Sequence, residues 1–170
     1  DNESAFRMAC NNGQLEVVKL LLSLEGDRRI DIHANNERGF CWACEDGHLE
    51  IVKLLLSLEG DRRINVHVEN ELGFRLACFN GYLEIVKFLL DLDGDRRIDV
   101  HAYNEDAFLW ACFNCQLEVI KLLLDLEGDR QIDVHAEDDS AFIVACENGH
   151  LEVVKLLLSL EGDRRIDKNV

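Results

Sequence analysis

Short apolar runs recur along the chain at an even spacing, each with the pattern of an amphipathic helix. The clearest run reads LEVVKLLLSL at residues 15–24, and close variants begin at residues 49, 83, 117 and 151. Apolar residues recur at i, i+3 and i+4 within each run, which is the periodicity of a helix with one buried face. The pattern therefore predicts a helix in each run, ending at the glycine that follows. These glycines are Gly26, Gly60, Gly94, Gly128 and Gly162.

A second, shorter apolar stripe precedes each of these runs. In ESAFRMAC at residues 3–10, the stripe consists of Phe6, Ala9 and Cys10, which share one helical face. An asparagine or aspartate before each stripe is predicted to cap the helix. The predicted caps are Asn2, Asn36, Asn70, Asn104 and Asp138. Each pair of stripes therefore predicts a helix–turn–helix unit.

The dipeptide Ala-Cys shows that the helix pairs are copies of one unit. It recurs at 9–10, 43–44, 77–78, 111–112 and 145–146, in steps of 34 residues, so that five units fill all 170 positions. We number these units repeats one to five, with the boundaries 1–34, 35–68, 69–102, 103–136 and 137–170. A fixed period of this length is typical of a solenoid, in which neighbouring units bury a common core. The sequence predicts a single all-α solenoid domain, with short β-like hairpins at the IDVHA-like segments between repeats.

Two stretches resemble the ankyrin repeat family. NGHLEVVKLLL at 148–158 matches the centre of an ankyrin repeat, and IDVHA at 98–102 is similar to the family's ADVNA. SAFIVAC at 140–146 departs from the family, because it stands where a Thr-Pro-Leu-His signature would be. With their short hairpins and long SLEGDRR loops, the repeats resemble those of giant viruses of amoebae. The resemblance implies an ankyrin-like solenoid in which the first helices and hairpins line a concave groove that binds ligands.

The chain is strongly acidic, and this limits the partners that it attracts. Its 34 acidic and 18 basic residues give a formal net charge of −16, and repeat four is the most acidic, with two bases against seven acids. Such a surface repels nucleic acid and anionic lipid and favours a protein partner with a basic surface. The alternative is that the acids serve only solubility. No apolar run approaches the roughly 18 residues that a membrane helix needs.

Two C-x-x-C pairs, Cys41/Cys44 and Cys112/Cys115, raise the question of a zinc site or a redox motif. Cys44 and Cys112 belong to the apolar stripe of their repeats and are predicted to be buried and inert. The pairs lie two repeats apart, roughly 16–20 Å, so they cannot share one zinc ion. We expect no metal and no cofactor. The five framework cysteines are Cys10, Cys44, Cys78, Cys112 and Cys146.

Free thiols also bear on where the protein acts. Buried unpaired cysteines persist in reducing compartments, so we expect a cytoplasmic or nuclear location, which includes the interior of a host cell. Cys115 replaces the glycine that ends the first helix in the other repeats. Two hypotheses for it stay open: a substitution tolerated in a loop at a cost in backbone strain, or a reactive thiol.

The histidines and the remaining polar residues predict no enzymatic activity. One framework position holds His33, His67, His101 and His135, which are predicted to form hydrogen bonds with turn backbone. The sequence contains no Ser/His/Asp set, glycine-rich phosphate loop or paired-carboxylate pocket that would indicate catalysis.

Positions that vary among the repeats mark the predicted binding surface. Three of them on the first helix are spaced i, i+4 and i+7, as in Asp106, Trp110 and Phe113, and lie opposite the core stripe. Aromatic residues concentrate there in repeats two to four, and Trp and Tyr are frequent at binding hot spots. The alternative for the Trp110 position is partial packing between repeats. The predicted partner-binding residues are Trp42, Phe79, Tyr82, Tyr103, Trp110, Phe113, Glu45, Leu76, Asp106 and Glu147.

Three functions are compatible with these patterns. The leading hypothesis is a non-catalytic module that binds a protein partner in the groove. The alternative is a structural spacer within a longer repeat array, because the last helix run, LEVVKLLLSL at 151–160, is as apolar as the internal ones. The same feature favours end-to-end self-association. A thiol or metal protein is the third hypothesis.

Overall fold

The computed structural model describes residues 2–166, and within that range the chain forms ten α-helices and no β-strand. First helices alternate with second helices of eight residues. The first helices are α1 (Asn2–Asn11), α3 (Ala34–Glu45), α5 (Leu72–Asn80), α7 (Ala102–Phe113) and α9 (Ala136–Glu147). The second helices are α2 (Leu15–Leu22), α4 (Leu49–Leu56), α6 (Leu83–Leu90), α8 (Leu117–Leu124) and α10 (Leu151–Leu158). The helix pairs therefore follow the period of the sequence.

The second helices end earlier than the glycine pattern predicts. α2 ends at Leu22, where the N–H of Ser23 donates to the carbonyl of Lys19 and the Ser23 hydroxyl donates to that of Leu20. Gly26 instead opens a 3-10 turn, Gly26–Arg28, with a φ of 60° that favours glycine. The prediction that the helices end at these glycines is therefore wrong, because each helix closes about one turn before, at a serine in repeats one, two and five and at an aspartate in repeats three and four.

A left-handed turn precedes the right-handed part of the first helices, where the sequence predicts a β-like hairpin. In repeat two, Asn35, Asn36 and Glu37 have φ angles of 57°, 55° and 55°. The same three positions are left-handed in the next three repeats, at residues 69–71, 103–105 and 137–139. No strand forms in the described residues 2–166, so the β-like hairpins are not confirmed.

The asparagines at the centre of these turns do not act as helix caps. Asn36 Nδ2 donates to Oε1 of Glu69 at 3.2 Å, and Asn104 Nδ2 donates to Oε1 of Glu137 at 3.1 Å. A capping residue needs an extended backbone, which the left-handed φ angles of Asn36 and Asn104 do not provide. The cap predictions at these two residues are therefore wrong. Their amides connect neighbouring repeats instead.

The chain divides into two compact units. The first comprises the chain up to Ala77 together with Glu84–Ile98, and the second comprises Cys78–Leu83 together with the chain from Asp99 onward. In the first unit α1 packs against α2 and α3, and in the second α7 packs against α8 and α9. Asp1 and residues 167–170, which the repeat boundaries include, lie outside the described residues. A single solenoid domain over residues 1–170 stays a prediction.

The predicted core stripe is buried between neighbouring first helices. Phe6 and Cys10 of repeat one are buried, and they face Gly39 on α3. A Cβ atom on Gly39 would lie 2.9 Å from Cε1 of Phe6 and 3.4 Å from Sγ of Cys10. The absence of a side chain at Gly39 therefore allows α3 to approach the preceding repeat closely.

Four of the five framework cysteines are buried as predicted, and Cys146 is not. Burial raises the pKa of the Cys10 thiol to about 12, so this thiol is protonated and unreactive at neutral pH. Cys146 is exposed. Cys10 is covered by the first helix that follows it, and residues 148–166 offer no such helix after α9. The prediction that Cys146 is buried is therefore wrong.

Candidate functional site

Three aromatic side chains come together in the second unit. Phe79 lies near the end of α5, and Trp110 and Phe113 lie on α7. The ring centroids of Phe79 and Trp110 are 5.8 Å apart in an edge-to-face arrangement, and those of Phe79 and Phe113 are 6.4 Å apart with the rings nearly parallel. Aromatic pairs favour both geometries. We call these three side chains the aromatic cluster.

The aromatic cluster is open to solvent on the side of α7 opposite the core. Phe113 is 48% exposed, and Phe79 and Trp110 are half-buried. Phe108 and Ala111 on the other side of α7 are buried. This difference confirms the amphipathic pattern from which the variable stripe was predicted. Trp110 is half-buried, which agrees with the alternative of partial packing between repeats, and its role in binding stays a prediction.

Hydrogen bonds from side chains to backbone carbonyls fix the position of the aromatic cluster. The carbonyl oxygen of Phe79 accepts hydrogen bonds from Asn114 Nδ2 at 2.8 Å and from Gln116 Nε2 at 3.0 Å. The carbonyl oxygen of Phe113 lies 2.8 Å from Nε2 of His150, which donates to it. The loops after the first helices therefore hold the ends of α5 and α7 in place. A surface held in this way loses little conformational entropy when it binds.

The helices of the second unit that carry or adjoin the aromatic cluster are acidic. Asp106 is half-buried on α7, one turn before Trp110, and Glu147 is exposed at the end of α9. Glu147 holds the position in repeat five that Phe113 holds in repeat four. The segments 78–83, 102–113 and 136–147 contain no lysine or arginine. The surface therefore combines exposed aromatic area with negative charge.

The two tyrosines among the predicted site residues lie in turns of the same unit. Tyr103 is exposed and left-handed, with a φ of 60°, in the turn that opens α7. Tyr82 is half-buried in the loop between Gly81 and α6. Both belong to the second unit, together with the aromatic cluster.

The remaining predicted site residues lie in the first unit. Trp42 is half-buried on α3, and the guanidinium carbon of Arg38 lies 5.9 Å from its ring centroid, within the range of a cation–π contact. Glu45 and Leu76 are also half-buried. These three residues and the aromatic cluster belong to different units. A single binding surface that includes all ten predicted residues stays a prediction.

Hydrogen-bonded histidine and acid pairs connect the repeats, and the sequence analysis did not identify them. Between repeats one and two, Nδ1 of His33 lies 2.7 Å from Oε1 of Glu37, and Nε2 of His33 lies 2.8 Å from the carbonyl oxygen of Asp61. We call this arrangement a histidine–carboxylate bridge. The pairs in the other repeats are His67/Glu71, His101/Glu105 and His135/Asp139. Partial burial alone lowers the pKa of His33, but the hydrogen bonds to Glu37 and Asp61 outweigh it and raise that pKa.

Cys41, Cys44 and Cys112 of the two cysteine pairs are buried like core residues, whereas Cys115 is exposed. Cys41 and Cys44 lie inside α3, and burial raises the pKa of the Cys41 thiol to about 12 and that of Cys44 well above its ordinary value. A thiol with such a pKa is neither a metal ligand nor a nucleophile at neutral pH. No group of three or more His, Cys, Asp or Glu side chains in residues 2–166 is arranged to hold a metal ion.

The succession of short helix pairs agrees with a comparison to known protein families. A family model described as ankyrin repeats (3 copies) matches residues 1–70 and 74–170. The chain belongs to the ankyrin repeat family. No curated protein matches the chain. Ankyrin repeats are generally protein–protein interaction modules and are typically non-catalytic.

The ankyrin repeat assignment names a family and no source, so the giant-virus origin of the chain stays a prediction. The resemblance to repeats of giant viruses rests on the hairpin and loop lengths in the sequence. In the described part of this ankyrin repeat chain, none of the helices combines the length and apolar character that crossing a bilayer requires.

Proposed function

We propose that this ankyrin repeat chain is a non-catalytic module that binds a protein partner through the aromatic cluster and the first-helix surface around it. The observation that supports this most directly is Phe113, which is 48% exposed while it stacks against Phe79. Repeats one, two and five have asparagine or glutamate at the same position, so a phenylalanine is not required for folding there. Aromatic residues in such settings are frequent hot spots of protein interfaces.

The acids around the aromatic cluster favour a partner segment that carries basic residues. Asp106 lies one turn before Trp110 on α7, Glu147 ends α9 of the same unit, and the chain carries a net charge of −16. Arginine is the best match, because its guanidinium both stacks on aromatic rings and pairs with carboxylates. Binding should weaken as salt is raised, since screening shortens the reach of these charges. Nucleic acid and anionic membranes do not fit this surface because both repel it.

The proposed test compares capture of partners by the native chain and by a variant that lacks the aromatic cluster. Phe79→Asn, Trp110→Val and Phe113→Glu each introduce a residue that another repeat has at the same position. The matched control is Trp42→Val, which removes an aromatic residue from the other unit. Circular dichroism and a denaturation midpoint establish that each variant is folded. Proteins captured from a cell lysate are then purified, and their affinity for each variant is measured.

A partner that binds the native chain and the Trp42→Val control, but not the cluster variant, would support the proposal. Each lost aromatic anchor should cost about 2 kcal/mol or more of binding free energy, which is roughly thirtyfold in affinity. A partner that binds all three proteins equally would place the binding surface elsewhere. No capture by the native chain would favour the spacer function.

The free cysteines of the chain bear on where this module acts in the cell. Four framework cysteines are buried and unpaired, and Cys115 and Cys146 are exposed thiols. Exposed and buried free thiols together are typical of a reducing environment, so we propose that the chain acts in the cytoplasm or nucleus.

A further inference from the structure

A cavity of about 370 Å³ lies between the left-handed turns that open α7 and α9, within the second unit. We call it the turn cavity. Three of its six lining residues carry a carboxylate, and none of the six is a lysine or an arginine. The lining residues are His101, Asn104, Glu105, Asp133, Ala136 and Glu137. Because His101 can offset at most one of the three negative charges, the turn cavity attracts a cation.

Two of the carboxylates, those of Asp133 and Glu137, are exposed and are each held through one oxygen. Oδ1 of Asp133 accepts a hydrogen bond from the backbone N–H of His135 at 3.0 Å. Oε1 of Glu137 accepts one from Nδ2 of Asn104 at 3.1 Å. Within residues 2–166, no hydrogen bond uses the second oxygen of either carboxylate. Each of the two therefore has a fixed orientation and one oxygen that can accept from a ligand.

The third carboxylate, that of Glu105, is buried and incompletely paired. Glu105 is only 5% exposed, and its Oε1 accepts from Nδ1 of His101 and from the backbone N–H of Asp133. Its Oε2 is buried and has no hydrogen-bond partner in the described part of the chain. A buried carboxylate oxygen without a donor costs free energy, which a bound cation would offset. Because Glu105 itself lines the turn cavity, a donor can approach this carboxylate from there.

The corresponding turns elsewhere in the chain lack this combination of side chains. Between repeats two and three, Asn65 and Val68 stand in place of Asp133 and Ala136. The turn that opens α7 has a tyrosine at the position of Glu137. Among the described turns, only the pair at α7 and α9 therefore combines three acids with a small alanine beside them.

The unused oxygens distinguish between the possible cations. A guanidinium pairs best with a carboxylate as a fork, in which two parallel N–H groups contact both oxygens. Each carboxylate of the turn cavity has only one oxygen left, so this fork cannot form. A primary ammonium carries three separate N–H donors on a compact charge, one for each carboxylate. No group of three or more His, Cys, Asp or Glu side chains within residues 2–166 is arranged to hold a metal ion, which favours an organic cation.

We propose that the turn cavity binds the primary ammonium group of a lysine side chain. The ammonium donates to the unused oxygens of Asp133 and Glu137 and supplies the missing donor to Glu105. The assignment of this lysine to a protein partner rests on the proposed function, whereas the ammonium site itself does not.

The position of the turn cavity relative to the aromatic cluster sets the spacing on such a partner. Glu105 and Phe113 are eight residues apart at the two ends of α7, which corresponds to roughly 12 Å along a helix. An extended partner segment covers this distance with about three or four residues. A lysine in the turn cavity would therefore lie three or four residues from the side chain that contacts the aromatic cluster.

The test uses n-butylammonium as a probe, because it reproduces the end of a lysine side chain. Backbone amide shifts of the full chain are followed by NMR at about pH 7.5, where primary amines are protonated. Butyltrimethylammonium, which has the same charge and no N–H, and butylguanidinium are compared at equal ionic strength. Butylammonium should give saturating shifts at residues 133–137, and butyltrimethylammonium should bind about tenfold more weakly because it donates no hydrogen bond. Butylguanidinium should also bind more weakly than butylammonium.

Variants of the turn cavity test which carboxylates hold the ammonium. Asp133→Asn and Glu137→Asn each introduce a residue that repeat two has at the same position, so both variants should fold, which circular dichroism checks. Each should weaken the binding of butylammonium about tenfold or more. The matched control is Glu69→Asn, which removes an acid with the same contact, since Asn36 Nδ2 donates to Glu69 at 3.2 Å. This control should leave binding at residues 133–137 unchanged, and an equal loss in the control would show that only the total charge of the chain matters.

A second site can be built where the chain already has part of the set. Glu37 has a buried Oε2 without a hydrogen-bond partner, like Glu105, and Glu69 corresponds to Glu137. The double change Asn65→Asp with Val68→Ala adds the two side chains that are missing there. This variant should show a second set of saturating shifts at residues 65–69. A variant without these shifts would show that the three carboxylates and the alanine do not form an ammonium site.

The remaining outcomes separate this inference from the proposed function. A native chain without saturating shifts would overturn the ammonium site, and so would equal binding of butylammonium and butyltrimethylammonium. Tighter binding of butylguanidinium would replace the lysine with an arginine and contradict the proposal. The variant that lacks the aromatic cluster should bind butylammonium as the native chain does. Loss of partner capture in that variant and loss of ammonium binding in the turn-cavity variants are therefore independent results.

Discussion

Nδ1 of His67 lies 2.6 Å from Oε1 of Glu71, a buried carboxylate four residues further along the chain. Nε2 of the same ring lies 2.8 Å from the carbonyl oxygen of Asp95 in the next repeat. A carbonyl only accepts, so Nε2 donates to it, and the contact between Nδ1 and Oε1 then requires a second proton. The folded chain therefore binds a proton at this bridge between repeats more tightly than the unfolded chain does.

This proton has a consequence for the dependence of stability on pH. Partial burial alone lowers the pKa of His67, but the hydrogen bonds to Glu71 and to the Asp95 carbonyl outweigh it and raise the pKa. The pKa of His33, His101 and His135 is raised by the same contacts. Stability that comes from a raised pKa is fully present below the unfolded value of about 6.5 and is lost as pH rises through the folded value.

We therefore expect a larger free energy of unfolding at about pH 5.5 than at about pH 8.5. Urea denaturation at both pH values measures the difference. The comparison stays above pH 5 because acids act in the opposite direction at lower pH. The hydrogen bond and charge of Arg63 hold the pKa of Asp95 at about 2, so the stability from that pair is lost as pH falls below about 4.

The control separates the bridges from the general charge of the chain. Glutamine at positions 33, 67, 101 and 135 removes all four bridge histidines, and this variant should lose much of the pH difference. His48→Gln with His150→Gln should keep it, because glutamine occupies the same position in repeats one and four. An unchanged pH difference in the four-histidine variant would show that the bridges do not cause it.

Glu105 tests the carboxylate side of a bridge. Its Oε1 accepts from His101 Nδ1 at 2.6 Å and from the backbone N–H of Asp133 at 3.1 Å. Glu105→Ala leaves both donors without this acceptor and should cost about 1–3 kcal/mol in free energy of unfolding. Glu105→Asp should cost less, because Asp139 makes the histidine contact at 2.6 Å in repeat five. Equal losses for the two variants in urea denaturation would contradict this account.

Hydrophobic periodicity alone predicted the helices and the core stripe. Phe108, Ala111 and Cys112 are buried as the i, i+3, i+4 pattern requires, because burial of apolar area follows directly from helical geometry. The left-handed turns were not predictable in this way, since residues other than glycine favour the right-handed region. Side-chain contacts hold them, as where Arg75 donates to the carbonyls of Glu69 and Asn70 at 3.1 Å and 3.2 Å. The sequence did contain a signal for the histidine–carboxylate bridges, because a histidine and an acid recur four residues apart.

The candidate site could also be predicted only where it depends on one helix, and not where it depends on contacts between helices. The stripe of Asp106, Trp110 and Phe113 followed from the spacing of variable positions within one helix. The contact between Phe79 and Trp110 joins two helices, and it depends on how far one repeat is displaced from the next. Periodicity within one repeat carries no information on that displacement.

Cys115 occupies a position where the backbone favours glycine. Its φ is 57°, and Gly13, Gly47 and Gly149 have φ angles of 68°, 80° and 70° at the same place. Cys115→Gly should therefore increase the free energy of unfolding by about 1 kcal/mol, because glycine adopts this conformation without strain. Cys115→Ala removes the thiol but keeps the Cβ atom, so it should give no comparable gain in urea denaturation. A similar gain in free energy of unfolding for both variants would show that the sulfur, and not the backbone conformation, causes the effect.

Tyr103 combines backbone strain with a place in the unit that carries the aromatic cluster. It is exposed and has a φ of 60°, in the turn where repeat two has Asn35 with a φ of 57°. Asparagine tolerates the left-handed region better than tyrosine, so Tyr103→Asn should raise the free energy of unfolding by up to about 1 kcal/mol. The reverse change, Asn35→Tyr, should lower it by a similar amount in urea denaturation.

If Tyr103 contributes to partner binding, the Tyr103→Asn variant should bind the captured partner more weakly although it is more stable, as expected where strain is kept for function. A loss of stability in this variant would show instead that contacts of the Tyr103 ring outweigh the strain of its backbone.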